Sequence, residues 1–198
     1  MPIGAKMDKE IISNYLKEKN NGNGVITLLK EQKKLEGERS PVLNNEYFSL
    51  ITKLIKKSSG KVKYHSISLL SNIELCFDVK NFYELCQIVA ENSKDSDGNI
   101  RQACFLLVKN LNATMIAMPL INKVKNSSKT EINLFYESYR NLFYKLYFAY
   151  YSDKTDQRPK ISILRTLEIM LPKFNDMAKF WNDHEEIGMA NQIKDEIK

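Results

Sequence analysis

SDGNIRQACFLLVKNL, residues 96–111, is the stretch from which the rest of the chain is read. Ser96 or Asp97 can cap the free N–H groups of a first helical turn. Behind them Ile100, Ala103, Cys104, Leu107, Val108 and Leu111 recur at intervals of three and four, which lays one apolar face along a helix. The face is wide and carries small residues, as a helix wedged between others requires. It speaks to architecture and says little about chemistry.

Composition points the same way. Of 198 residues, 43% are hydrophobic and 27% charged, and 7 Gly and 5 Pro are too few for a turn-rich all-β fold. An all-α fold is expected. The length suits one substantial core, so a single helical repeat domain over residues 1–198 is the simplest reading. Residues 1–7 would be a loose end and residues 174–198 C-terminal capping helices. No apolar run approaches the roughly 18 to 20 residues of a membrane span, and MPIGAKMDKEII lacks the apolar core of a secretory signal. An intracellular protein, cytoplasmic or nuclear and without membrane association, is expected. Cys76, Cys86 and Cys104 sit inside apolar helical patterns with no CxxC pair, which reads as reduced core thiols.

The formal charge of +6 is unevenly spread: residues 1–64 hold 13 Lys or Arg against 7 Asp or Glu, whereas residues 65–198 hold 17 of each. Such asymmetry can mark a surface for nucleic acid or another acidic partner.

Along the chain, residues 8–19 predict a short helix with Ile11, Ile12, Tyr15 and Leu16 on its apolar side, broken by NNGNG at 20–24. A second, strongly charged helix starts at Val25, and Gly37 to Pro41 reads as a loop. From Asn44, Tyr47, Phe48, Leu50, Ile51, Leu54 and Ile55 face one way and Lys53, Lys56 and Lys57 the other. SSG at 58–60 precedes another helix, in which Val62, Ile67, Leu70 and Ile73 share a face. Phe82, Leu85, Cys86, Val89 and Ala90 mark the next.

A shift of 38 residues places Val62 on Ile100, Lys63 on Arg101, Ile67 on Phe105, Leu70 on Val108 and Ile73 on Leu111. The same shift places Phe48 on Cys86 and Ile51 on Val89. Two helices matching under one offset, break included, indicate a repeated hairpin. A looser third copy pairs a helix at 114–125, kinked or started by Pro119, with the segment 133–151. Two-helix periods near 40 belong to solenoids, whose units need a stacked neighbour to bury their apolar faces. Residues 44–150 accordingly resemble the HEAT/armadillo family. Asp97, Ile100, Arg101 and Ala103 match the second helix of a HEAT repeat, while Gly60 and His65 depart from it at the earlier copy. The resemblance implies a short right-handed α-solenoid of antiparallel hairpins with about 9–10 helices, in which Arg101 serves more as a brace between repeats than as a ligand contact.

NLFYESYRNLFYKLYFAYY, residues 133–151, carries nine aromatic side chains over more than one helical face. It is either enclosed on most sides or presents a sticky surface. Further on, Ile161, Leu164, Leu167, Ile169, Met170 and Leu171 predict a helix that Pro172 terminates or kinks. Phe174, Met177, Phe180 and Trp181 would cap the stack, followed by an acidic tail.

No phosphate loop, GxSxG, HExxH or calcium loop occurs. No catalytic residue, cofactor or metal is expected. His65 reads as a bracing residue and His184, in NDHEE, as part of a solvated acidic face. Some HEAT-like solenoids are DNA glycosylases of alkylated bases that use a Trp, an Asp and an Arg. Here Trp181 lies outside the repeat helices, and the sequence shows no Asp to accompany Arg140 or Arg101. The leading expectation is a non-enzymatic scaffold or adaptor that holds a protein partner through Lys63, Gln102, Lys109, Tyr139, Arg140 and Lys145, with aromatics of 135–151 as anchors. The alternative is nucleic-acid binding through Lys53, Lys56, Lys57, Lys61 and Lys63.

Overall fold

The computed structural model describes residues 9–39, 45–72, 78–125 and 129–198, and among them every regular element is an α-helix. The chain is all-α. It divides into two compact units, Met1–Glu74 and Leu75–Lys198. Ile73, Cys76 and the expected loose end at 1–7 lie outside the described residues.

The first unit holds α1 (Lys9–Glu18), α2 (Gly22–Arg39), α3 (Asn45–Lys57) and α4 (Gly60–Leu70). α2 and α3 both pack on α4, and α1 lies against α2 and α3. The apolar face expected of α3 is real: Phe48, Ile51, Leu54 and Ile55 are buried, while Lys53, Lys56 and Lys57 are exposed. NNGNG does interrupt the chain, but as a cap rather than a loop. Asn21 takes a left-handed backbone (φ 59°), and its Oδ1 accepts from the Gly24 N–H at 3.1 Å. A Cβ on Gly24 would stand 2.6 Å from that side chain, so the cap needs glycine there. Gly37 was expected to open a loop, yet α2 continues through it to Arg39.

The second unit holds α5 (Val79–Asn92), α6 (Gly98–Lys125), α7 (Lys129–Tyr151), α8 (Gln157–Phe180) and α9 (His184–Ile197). α5 packs on α6 and α7, α8 packs on α6 and α7, and α9 lies along α8. Asp78 caps α5 by accepting from the Asn81 N–H at 2.8 Å. The opening stretch delivers its face in full: Ile100, Ala103, Cys104, Leu107, Val108 and Leu111 are all buried. Cys86 and Cys104 are buried free thiols.

One expected boundary is overturned here, and one of the two readings of Pro172 falls. The separate helix at 114–125 is the second half of α6, a single helix of 28 residues; nothing at Asn112 or Ala113 breaks a helix, and Thr114 and Met115 are buried in step with Leu111. Pro172 does not end α8, which runs on to Phe180. Consequently Phe174 and Met177 belong to the buried face of α8, whereas Phe180, expected as a cap, is 84% exposed.

The corner between α8 and α9 is built by three residues. Trp181 ends α8, Asn182 turns left-handed (φ 53°), and the N–H groups of Asn182 and Asp183 donate back to Lys179 and Ala178 carbonyls at 3.1 and 2.9 Å. This is a Schellman closure, with asparagine in the position that usually falls to glycine. Asp183 then caps α9 at once, its Oδ1 accepting from the Glu186 N–H at 3.1 Å. One tight corner therefore places both Asp183 and Glu186 against α7.

Candidate functional site

The aromatic helix α7 is neither wholly enclosed nor wholly exposed. Its core stripe, Phe135, Tyr139, Leu142, Phe143 and Leu146, is buried, and Phe143 stacks on Phe174 of α8 with centroids 3.7 Å apart and planes 7° apart. On another face, Asn141, Tyr144, Lys145 and Phe148 follow at three-and-four spacing. Together with Ser152 and Thr155 they form one wall of an open cleft of about 790 Å³, and Ala90, Glu91 and Lys94 at the end of α5 form the other. Lys154 completes the rim. The floor is mixed and the rim is basic: Lys94, Lys145 and Lys154 against the single carboxylate of Glu91. Phe148 lines the cleft with 64% of its surface exposed.

Behind the cleft Tyr144 is anchored. Its ring meets Phe174 edge-on at 6.0 Å, and its hydroxyl donates to Glu186 Oε1. Glu186 is fully buried. Arg140 Nε donates to the same oxygen at 2.5 Å, Arg140 Nη2 lies 2.5 Å from it, and Nη2 also reaches Asp183 Oδ2 at 3.4 Å. Glu186 Oε2 receives no hydrogen bond from any described residue. The sequence D-x-x-E at 183–186 is a capping-box pattern, but the Glu side chain is spent on α7 instead of its own helix. Burial pulls the Arg140 guanidinium down, and the hydrogen bond and charge of Glu186, followed by those of Tyr144, more than offset it, so its pKa lies above the ordinary value. Arg140 also sits over the Trp181 ring at 5.0 Å, and Tyr136 meets Trp181 edge-on at 5.6 Å.

Farther along α7 the tyrosine hydroxyls reach α9: Tyr147 donates to Gln192, and Tyr150 donates to Glu196 at 2.9 Å. Burial, then the Glu186 bond, pushes the Tyr144 phenol up to about 12, and burial, then the Glu196 charge, does the same for Tyr151. A pKa raised from the ordinary 10 in the folded state means that folding retains protons which the unfolded chain gives up above that pH. The contribution of these tyrosines to stability should therefore be constant up to about pH 10 and be lost as the pH climbs from about 10 through 12. Urea midpoints measured across that window check this, and Tyr144→Phe should make the fall shallower.

Within the second unit the residues expected to bind a partner do not line one site. Only Lys145 lines the cleft, where it also donates to Gln87. Tyr139 is fully buried, with its hydroxyl donating to Asn112 Oδ1 at 2.8 Å, so it is a core residue and not an anchor. Arg140 is engaged in the ion pair. Gln102 lines a separate small pocket, Lys109 lies over the Phe105 ring at 5.1 Å, and Lys63 is a half-buried residue of the first unit. The sequence reading missed Lys94 and Lys154, which sit near helix ends 60 positions apart with no local pattern to join them. It also missed Asp183 as the companion of Arg140 and Trp181.

In the first unit Lys53, Lys56, Lys57 and Lys61 are exposed. Burial, then the charges of Lys30, Lys33 and Lys61, lower the pKa of His65 below the usual 6.5. The lysines that crowd His65 thus come from α2 as well as α4. Lys33 Nζ donates to Ser68 Oγ at 2.5 Å.

Among the described residues no helix is long and apolar enough to cross a membrane, and no group of three or more His, Cys, Asp and Glu side chains is placed to hold a metal ion. No protein-family model, no curated protein and no solved structure matches this chain.

Proposed function

We propose that this protein is a non-enzymatic binding module whose α5–α7 cleft holds an acidic segment of a protein partner, as a scaffold or adaptor would. The observation that carries the proposal is Phe148, standing exposed among Lys94, Lys145 and Lys154. Covering an exposed Phe ring is worth about 1.5–3 kcal/mol, and a central aromatic ringed by charged groups has the form of an interface anchor. Three cations against one carboxylate select an acidic occupant. The HEAT-like, right-handed solenoid belongs to the same proposal. Its support is the hairpin recurrence at an offset of 38 residues, under which the first residue of α4, Gly60, falls on the first residue of α6, Gly98. The trio of Trp181, Asp183 and Arg140 is read as a brace rather than a glycosylase site, because both Asp183 oxygens are engaged, one by the Glu186 N–H and one by Arg140.

Fluorescence anisotropy with a labelled acidic peptide bearing one tryptophan tests the proposal. Lys94→Glu/Lys145→Glu/Lys154→Glu should abolish binding, and Phe148→Ala should weaken it by about ten- to a hundredfold. Unchanged affinity in both variants would sink it.

A second reading, nucleic-acid binding by the first unit, is favoured by the gathering of Lys30, Lys33 and Lys61 about His65. It requires an oligonucleotide affinity that falls steeply with salt and that is lost in Lys30→Glu/Lys61→Glu but kept in the cleft variants.

A further inference from the structure

A second, smaller pocket of about 70 Å³ lies between the start of α6 and the N-terminal half of α8, lined by Gly98, Arg101, Gln102, Phe105, Ser162 and Arg165. Two of its six residues are arginines, and they are held very differently. Arg101 is fixed: Nη1 donates to the Asp95 and Ser96 carbonyls at 2.7 and 2.9 Å, and Nε donates to Ser162 Oγ at 3.1 Å. These bonds tie Arg101 to the loop before α6 and to α8, while Nη2 carries none of them. Gly98 lies beside that nitrogen, a Cβ built on it standing 3.6 Å from Nη2, an ordinary contact distance. Arg165, by contrast, is exposed on α8. The nearby carboxylates are occupied by backbone: Asp95 Oδ1 accepts from the Asp97 N–H at 2.9 Å and Asp97 Oδ1 from the Asn99 N–H at 2.8 Å, and neither residue lines the pocket.

A guanidinium held in place by two carbonyls and a hydroxyl has lost its side-chain freedom before any ligand arrives, and so pays little to bind one. Beside a second arginine, a side-chain amide and an aromatic ring in the same lining, it suits a compact, multiply charged oxygen anion better than a carboxylate on a long chain. The volume is several times what one water needs, and it is far below that of a nucleotide pocket.

We propose that this pocket binds a single phosphoryl group, held by Nη2 of Arg101 and the guanidinium of Arg165, with the Gln102 amide as a further donor. The group comes either as free phosphate or as the phosphate monoester of a side chain, and the two sources share the same contacts. The site is independent of whatever occupies the α5–α7 cleft.

Nuclear magnetic resonance titration of the full chain with inorganic phosphate, and separately with an N-acetylated, amidated phosphoserine, tests this at constant ionic strength. Saturable shifts centred on the Gly98, Arg101 and Gln102 amides are expected. Arg165→Gln, which removes an exposed side chain, should weaken binding by about tenfold, the loss of one charge-assisted contact. Lys194→Gln, which removes the same charge from α9, should leave it unchanged. An ester that binds as tightly as phosphate identifies a phosphorylated side chain as the source; phosphate bound with the ester excluded identifies the free ion. Absence of saturable shifts with both probes, or equal affinity in the wild-type and Arg165→Gln proteins, overturns the proposal.

Discussion

Arg140→Met lowers the stability of the second unit by about 3 kcal/mol, because it strips the partner from a carboxylate that is fully buried. Glu186 would be left with the Tyr144 hydroxyl alone. Tyr144 also loses its fixed setting at the back of the cleft. The cost belongs to the stranded charge rather than to the ion pair itself, so removing both charges should be far milder. Arg140→Met/Glu186→Met should recover most of the lost stability, since apolar replacements of a buried pair are often close to neutral. Urea denaturation of the wild type, both single variants and the double variant closes the cycle. A single-variant loss below about 1 kcal/mol would put the pair among ordinary surface contacts.

The second large effect lies one layer deeper. Phe174→Ala should cost about 3–5 kcal/mol, the range for emptying an aromatic site in a packed core. Phe174 is fully buried and lies flat on Phe143, while Tyr144 meets it edge-on, so the vacated space borders both the core stripe of α7 and the back of the cleft. Thermal denaturation measures the stability loss. In the same variant the acidic peptide should bind more weakly, because Tyr144 loses the ring that holds it. A loss under about 2 kcal/mol would mean that neighbouring side chains collapse into the space.

Much of the helical plan was legible from spacing alone. The buried faces of α3, α5 and the first half of α6 fall where the three-and-four pattern put them, because these helices are apolar on one side only and the period has a single solution. The errors occur where local breakers met tertiary packing. Gly37 and Pro172 lie inside helices, and α6 runs on where the repeat pattern demanded a turn. Glycine and proline penalise a helix by about 1 and 3 kcal/mol, and burial on the scale of Met170, Phe174 and Met177 exceeds that.

The cleft was half legible. Asn141, Tyr144, Lys145 and Phe148 form a stripe that could have been separated from the core stripe of α7 by the same spacing rule. Lys94 and Lys154 could not, since only the packing of α5 on α7 brings them to one rim. Glu186 misled in another way: its sequence setting is that of a capping residue, and its actual partner, Arg140, lies 46 positions away.

The two ends of α9 are fastened by unlike means. Near its start a buried carboxylate is locked to Arg140, whereas toward its finish it is held by tyrosine hydroxyls to Gln192 and Glu196 at the water boundary. Solvent competes for the latter bonds and not for the former. Local opening of this helix should therefore begin at the carboxyl end and peel backward, with amide deuterium uptake expected to grade from fast near Ile197 to slow beside Glu186.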